Sequence, residues 1–391
     1  MHDDTRAVTA GRDPAAHHGA VNTPVYRVST VLFPTVAAMD AAQAARDAGE
    51  QVMVYGRTGT PTSFGLENAI AELEGGYRCQ TFPSGLSAVS SALTAFLKAG
   101  DHLLMTDSTY GPTRVFCDTV LSRFGVSTTY YDPLVGAGIA GLMRPNTTVV
   151  YLESPGSLTF EVQDLPAMAK AAHAGGAKVL IDNTWASSLY CKPLTLGADV
   201  SIQAGTKYVV GHSDANLGLV AATKDSWPPV RDLARRMGLA AGPDDIYLAQ
   251  RGLRTLAVRL RRHMESSLAI AEWLRSRPEI TRVLHPALPG DPGHALWRRD
   301  FLGASGLFAV EMKPCGPKAV AAFLDDLELF GLGYSWGGFE SLAVPARLGR
   351  TRTATNAATP GPLVRFHIGL EAVDDLKEDL AAGLARFNAA G

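Results

Sequence analysis

Lys178-Val179-Leu180-Ile181-Asp182 and Val200-Ser201-Ile202-Gln203-Ala204-Gly205-Thr206-Lys207 decide the fold. Each begins as a short, β-branched, apolar run and ends in a polar residue. Such runs suit strands buried on both faces, as in a mostly parallel sheet sandwiched by helices. Working outward, strands are predicted at 102–106, 126–130, 147–152, 177–181 and 199–203, alternating with helices at 66–74, 86–98, 112–123 and 164–174. The class is therefore α/β. Residues 1–60 read as an N-terminal arm with one Ala-rich helical patch, Thr35 to Ala48. Residues 61–243 would form the sheet domain. An Arg-rich helical segment at 244–276 would link it to a smaller C-terminal α+β domain ending at 391, with strands near 304–312 and 363–368 and helices at 317–327 and 372–388.

With 46% hydrophobic residues in 391, the chain can bury a large core in two or three domains. Its 36 Lys+Arg nearly balance 38 Asp+Glu, so no basic field is available to hold nucleic acid or an anionic membrane. The four cysteines, Cys79, Cys117, Cys191 and Cys315, form no CxxC pair, which argues against a zinc site or a disulfide framework and suits a reducing cytoplasm. The first twenty residues lack the apolar core of a signal peptide, and no run is long enough to span a membrane, so a soluble cytoplasmic protein is expected.

In an open parallel sheet, ligands sit beyond the carboxyl ends of the strands. Asp182 and Lys207 both fall there. A lysine near a core loses hydration, its amine pKa falls, and it becomes competent as a Schiff-base nucleophile and general base. Pyridoxal phosphate needs such a lysine together with a carboxylate on its pyridine nitrogen, the role open to Asp182. Its phosphate needs backbone N–H groups at a helix start. Pro83-Ser84-Gly85-Leu86 supplies a small-residue turn opening helix 86–98, although Ser84 could equally be a plain helix cap.

Five ordered motifs now join these residues: Val54-Tyr55-Gly56-Arg57-Thr58-Gly59-Thr60-Pro61-Thr62, Ser84-Gly85-Leu86, Thr109-Tyr110-Gly111, Ile181-Asp182-Asn183-Thr184-Trp185, and Gly205-Thr206-Lys207-Tyr208 with Gly211-His212-Ser213-Asp214. Over nearly its whole length the chain resembles the Cys/Met-metabolism pyridoxal-phosphate enzymes, which have the aspartate-aminotransferase fold (fold type I). The resemblance implies that Lys207 is the Schiff-base lysine, that Asp182 holds the pyridine nitrogen and that Tyr110 stacks on the ring. Ser84, Gly85, Leu86 and Thr206 would hold the phosphate. Tyr55 and Arg57 would reach it from a neighbouring subunit, which implies a homo-oligomer, commonly a tetramer in this family. Lys207, Tyr110 and Tyr55 would be the catalytic side chains. Arg365 would clamp the substrate α-carboxylate in a bidentate fork. Ala204 departs from the Ser found in many members, so one phosphate contact would be missing or replaced.

Within the family, Tyr334-Ser335-Trp336-Gly337-Gly338-Phe339-Glu340-Ser341-Leu342 resembles the β-lyases acting on cystathionine, with Tyr334, Ser335 and Trp336 expected at the substrate and no metal. The implied reaction is β-elimination of L-cystathionine to homocysteine, pyruvate and ammonia, a step in methionine biosynthesis. γ-Elimination, γ-replacement, cysteine desulfhydration, a specialised-pathway reaction and a non-catalytic cofactor-binding regulator remain as alternatives. Taken singly, each residue has a plainer reading: Lys207, Arg57 and Arg365 as surface charges, Asp182 as a turn residue, Tyr110 and Trp336 as packing. Order and spacing decide against that.

Gly136-Ala137-Gly138-Ile139-Ala140-Gly141 matches the dinucleotide fingerprint, but Pro145 follows too closely for the required helix, so a flexible loop is expected. His17, His18, His212 and His285 lack metal-ligand spacing.

Overall fold

A computed structural model describes residues 1–349, 352–355 and 359–390. Its centre is a seven-stranded sheet of β1 (Arg78–Phe82), β2 (His102–Thr106), β3 (Ser127–Tyr131), β4 (Thr147–Glu153), β5 (Lys178–Asp182), β6 (Val200–Ala204) and β7 (Gly218–Ala222), in the order β1-β7-β6-β5-β4-β2-β3. Strands β3, β2, β4, β5 and β6 run parallel, and β7 lies antiparallel to both β1 and β6. The five residues of β2 and of β7 are all buried, as befits strands covered on both faces. One apolar layer forms beneath helix Gly85–Phe96, with Val89, Ala92 and Leu93 packed on Leu103, Tyr151 and Ile202. Another forms beneath helix Leu165–Ala174.

A second, five-stranded sheet is built from β8 (Ile280–Leu284), β9 (Leu307–Met312), β10 (Phe330–Gly331), β11 (Ser341–Ala346) and β12 (Leu363–His367), in the order β10-β11-β12-β9-β8. The fold is thus a mostly parallel, helix-covered sheet with a smaller C-terminal sheet domain. Helices Pro317–Leu324 and Val373–Ala390 cover that sheet, closing a core around Phe308, Phe323, Phe330 and Phe366.

Two expectations are corrected. The run at 244–276 is two helices, Pro243–Arg254 and Leu256–Arg275, separated by Thr255, which leaves helical geometry at φ −109°, ψ 4°. The break lets the second helix bury Ile270, Ala271 and Leu274 in the smaller sheet's core. The segment expected as a flexible loop at 136–141 is a 3₁₀ helix, Gly136–Leu142, anchored by the fully buried Ile139. An apolar side chain seeking the core overrides the glycines, and no dinucleotide turn forms. Among the described residues, no helix is long and apolar enough to cross a membrane.

Candidate active site

Parallel pairing aligns the carboxyl ends of β4, β5 and β6. Register sets Glu153 of β4 beside Asp182 of β5, placing two carboxyls side by side on one edge. Asp182 is the last residue of its strand and only 9% exposed. Thr184 donates to its Oδ1 twice, from the backbone N–H at 2.9 Å and from the hydroxyl at 2.5 Å. That hydroxyl is oriented because its own oxygen accepts the Ala204 N–H at 2.9 Å. Burial pushes the Asp182 carboxyl up, while the Thr184 bonds and the Lys207 charge pull it down.

Lys207 follows β6 in a turn whose N–H returns to Ala204 O at 3.0 Å. Its Nζ donates to Ser335 Oγ at 2.6 Å and lies 5.1 Å from the Trp336 ring centroid. Burial lowers the amine to about 8, helped by the nearby Arg365 guanidinium and opposed by Asp182. Arg365 projects from β12 and donates to Ser335 O at 3.0 Å. Ser335 therefore joins the two cations through its hydroxyl and carbonyl, in a left-handed conformation at φ +77°. A non-glycine residue held there costs energy that the surrounding contacts must repay. Gly337 is required nearby: at φ +88°, its Cβ would sit 3.0 Å from the Lys207 backbone.

Tyr110 opens helix Gly111–Thr119 at the rim, 45% exposed, with its N–H donated to Glu153 Oε2 at 2.6 Å. Burial and the charges of Asp182 and Glu153 raise its phenol, while Arg365 acts the other way, which sets all four groups around one space. Burial also drives Glu153 well above the usual carboxylate range, with Asp182 adding to the rise.

Ser84 caps helix Gly85–Phe96, accepting the Ser87 N–H at 3.1 Å. The first-turn amides of Gly85 and Leu86 have no intrahelical acceptor and carry the positive end of the helix dipole, an anion cradle. A Cβ on Gly85 would come within 2.6 Å of the Ala204 Cβ, so a small residue at each position brings the cradle against the β6 exit. The Thr206 hydroxyl accepts the Leu217 N–H at 2.9 Å and donates to Leu217 O at 3.1 Å, fixing that exit.

The structure thus gathers Lys207, Asp182, Tyr110, Arg365, Ser335 and Trp336. It does not bring Tyr55 or Arg57 to them by any contact within the chain. Tyr55 accepts from Ser29 Oγ at 3.2 Å, and Arg57 donates to Arg235 O at 2.9 Å. Tyr334 is 95% exposed and packs on nothing in the site. Sequence reasoning missed Glu153 and Thr184. The rule that singled out Asp182, a polar residue at the carboxyl end of a parallel strand, would have found Glu153 as well.

The donor set fits pyridoxal phosphate: a lysine amine poised near neutrality, a buried carboxyl across from it, an aromatic ring at the rim and a helix N-terminus with a glycine cradle.

Comparison with known proteins agrees. Residues 4–385 match the model of the Cys/Met metabolism PLP-dependent enzymes. The chain is 50% identical over 390 residues to a putative cystathionine β-lyase of Rhizobium johnstonii, covering 99% of this chain and 96% of that one. It is 48% identical to the cystathionine β-lyase of Salmonella typhimurium, covering 98% of each. A crystal structure of cystathionine γ-synthase from Xanthomonas oryzae pv. oryzae, in complex with aminoacrylate and cysteine, superposes with a TM-score of 0.91 at 33% identity, covering 100% of both chains. The chain belongs to the Cys/Met metabolism PLP-dependent enzymes, and pyridoxal phosphate is its cofactor.

Proposed function

We propose that the protein is a cytoplasmic cystathionine β-lyase, a carbon–sulfur lyase that converts L-cystathionine and water to homocysteine, pyruvate and ammonia. The observation that carries this is the Lys207–Ser335–Arg365 bridge beneath Trp336. It places a titratable amine and a carboxylate-binding fork on one residue, in a segment that resembles the β-lyases. Relatives at 48–50% identity bear that name, whereas a Mycobacterium bovis relative named cystathionine γ-synthase is 37% identical.

Pyridoxal phosphate, when bound, supplies the electron sink for a carbanion at the amino-acid Cα. Asp182 would hold the proton on the pyridine nitrogen, its own position fixed by Thr184. Arg365 would grip the α-carboxylate and so turn the Cα–H toward Nζ. Lys207 Nζ, near its titration point at neutral pH, would take the Cα proton. The Cα electron pair would then form a Cα=Cβ bond as the Cβ–S bond breaks with its electrons on sulfur; the thiolate would take up a proton as homocysteine, and water would hydrolyse the released three-carbon enamine to pyruvate and ammonia. Ser335 would orient Nζ between these steps. Tyr110 would cover the ring, and the amides of Gly85 and Leu86, with Ser84 and Thr206, would hold the phosphate.

The arm carrying Tyr55 and Arg57 would complete that phosphate site in a second subunit. In support, helix Val36–Asp47 on the arm buries none of its residues within the chain, and Leu32 before it is 89% exposed. A homotetramer with shared sites, a 1–60 arm, a 61–243 cofactor domain and a 244–391 C-terminal part complete the reading. Incubation of the reconstituted protein with L-cystathionine tests it: pyruvate with homocysteine supports β-elimination, whereas 2-oxobutyrate with cysteine overturns it in favour of γ-elimination.

A further inference from the structure

Asp107 lies just beyond β2, wholly buried, at the start of the turn that ends in Tyr110. Its carboxylate accepts from a segment more than two hundred residues away in sequence. The N–H groups of Thr353, Ala354 and Thr355 reach it at 2.9, 3.1 and 3.0 Å, and the Thr355 hydroxyl at 2.7 Å. Arg114 adds an ion pair at 2.5 Å. The same segment also donates through a side chain. Arg352 donates from Nη1 to Asp107 O at 2.5 Å, and from Nη2 to Ser157 O at 2.8 Å and to the Thr159 hydroxyl. On its far side the turn is held by Glu153, which accepts the Tyr110 N–H.

Three consecutive backbone amides converging on one buried carboxylate form an anion nest, a geometry that specifies position tightly. Residues 352–355 lie between β11 and β12, and β12 carries Arg365. The C-terminal sheet domain thus touches the site through Arg365, and reaches Tyr110 through the segment ahead of that strand. We propose that residues 352–355 are a strap by which the C-terminal sheet domain fixes the Tyr110 turn over the cofactor ring, with Asp107 and Arg352 as positioning residues. The inference rests on the reading of Tyr110 as the stacking residue.

A double-mutant cycle tests it, using Arg352→Ala, the milder Thr355→Val, and Tyr110→Ala, each alone and in combination with the last. Each variant is read by the dissociation constant of pyridoxal phosphate from the apoprotein, the visible circular dichroism of the bound cofactor, and kcat and KM for L-cystathionine. Arg352→Ala should weaken cofactor binding about tenfold and Thr355→Val about threefold, both lowering kcat more than KM. In the Tyr110→Ala background the same changes should have almost no further effect on cofactor binding, because what they position is gone. Full, additive losses in that background would overturn the strap and leave only a structural tie. If Tyr110→Ala alone leaves cofactor binding and dichroism unchanged, the stacking assignment fails and takes the strap with it. Should Arg352→Ala not fold, Thr355→Val carries the cycle, since it removes a single hydroxyl bond while preserving shape.

Discussion

The carboxyl edge of the large sheet and the core of the small one are both buried, and they are built on opposite terms. At the edge, Glu153, Asp182, Lys207 and Arg365 share one space, and burial shifts every one of their titrations. In the small sheet, Phe366 meets Phe308, Phe330 and Phe323 at centroid distances of 5.7, 5.8 and 6.3 Å with no charge among them. The first arrangement costs stability and creates reactivity; the second supplies stability and does no chemistry. Substitutions should therefore separate cleanly into those that stop turnover and those that loosen the fold.

The largest effect is expected at the edge. Lys207→Ala should lower kcat at least about a thousandfold, since on the proposed reading it would remove both the cofactor's anchor and the Cα base. Its thermal midpoint, followed by circular dichroism, should not fall; retained turnover would break the comparison. In the core of the small domain, Phe323→Ala, on the helix that covers the sheet, should cost about 3–5 kcal/mol of unfolding free energy in urea, while kcat per folded molecule changes little. A collapse of kcat at full folding would show that the two regions are not separable as described.

Glu74 sharpens the comparison, because it is a buried carboxyl behind the edge rather than on it. It accepts from Asn183 Nδ2 at 3.3 Å and from Gln203 Nε2, and burial raises it to about 7 from an ordinary 4.5. The folded state therefore holds this proton more tightly than the unfolded chain. Its contribution to stability is fully present below about pH 4.5 and is lost as pH rises to 7, a change on the order of 3 kcal/mol. Glu74→Gln should flatten that part of the stability profile; an unchanged slope between pH 4.5 and 7 would assign the proton elsewhere. The smallest effect belongs to Thr184→Val, which deprives Asp182 of one donor and the Ala204 N–H of its acceptor. About a tenfold loss in kcat, with little change in KM, is expected from steady-state kinetics.

Much of this was legible in the sequence, for a physical reason. β2, β4, β5 and β6 are apolar runs buried by helices, and Lys207 and Asp182 stand at the ends of β6 and β5, where local pattern alone points to a site. β1 was not legible, because Arg78-Cys79-Gln80-Thr81-Phe82 mixes polar residues that find partners only in the folded state. Glu67 takes the Thr81 N–H at 3.1 Å and the Thr81 hydroxyl at 3.0 Å. The helix Trp227–Arg236, opening on Trp-Pro-Pro, was likewise unannounced. Nor could the pairing of Asp107 with residues 353–355 be read from either segment, since backbone amides converging from across the chain leave no signature in side-chain identity. Local periodicity shows where strands end; it does not show which distant loop comes back to them.

Borohydride reduction of the reconstituted protein, followed by peptide mapping with mass spectrometry, tests the central assignment most directly. The account predicts a pyridoxyl phosphate adduct on the peptide containing Gly205-Thr206-Lys207-Tyr208, at Lys207 alone. An adduct on another lysine, such as Lys192, or cofactor that binds without any reducible link, would contradict it.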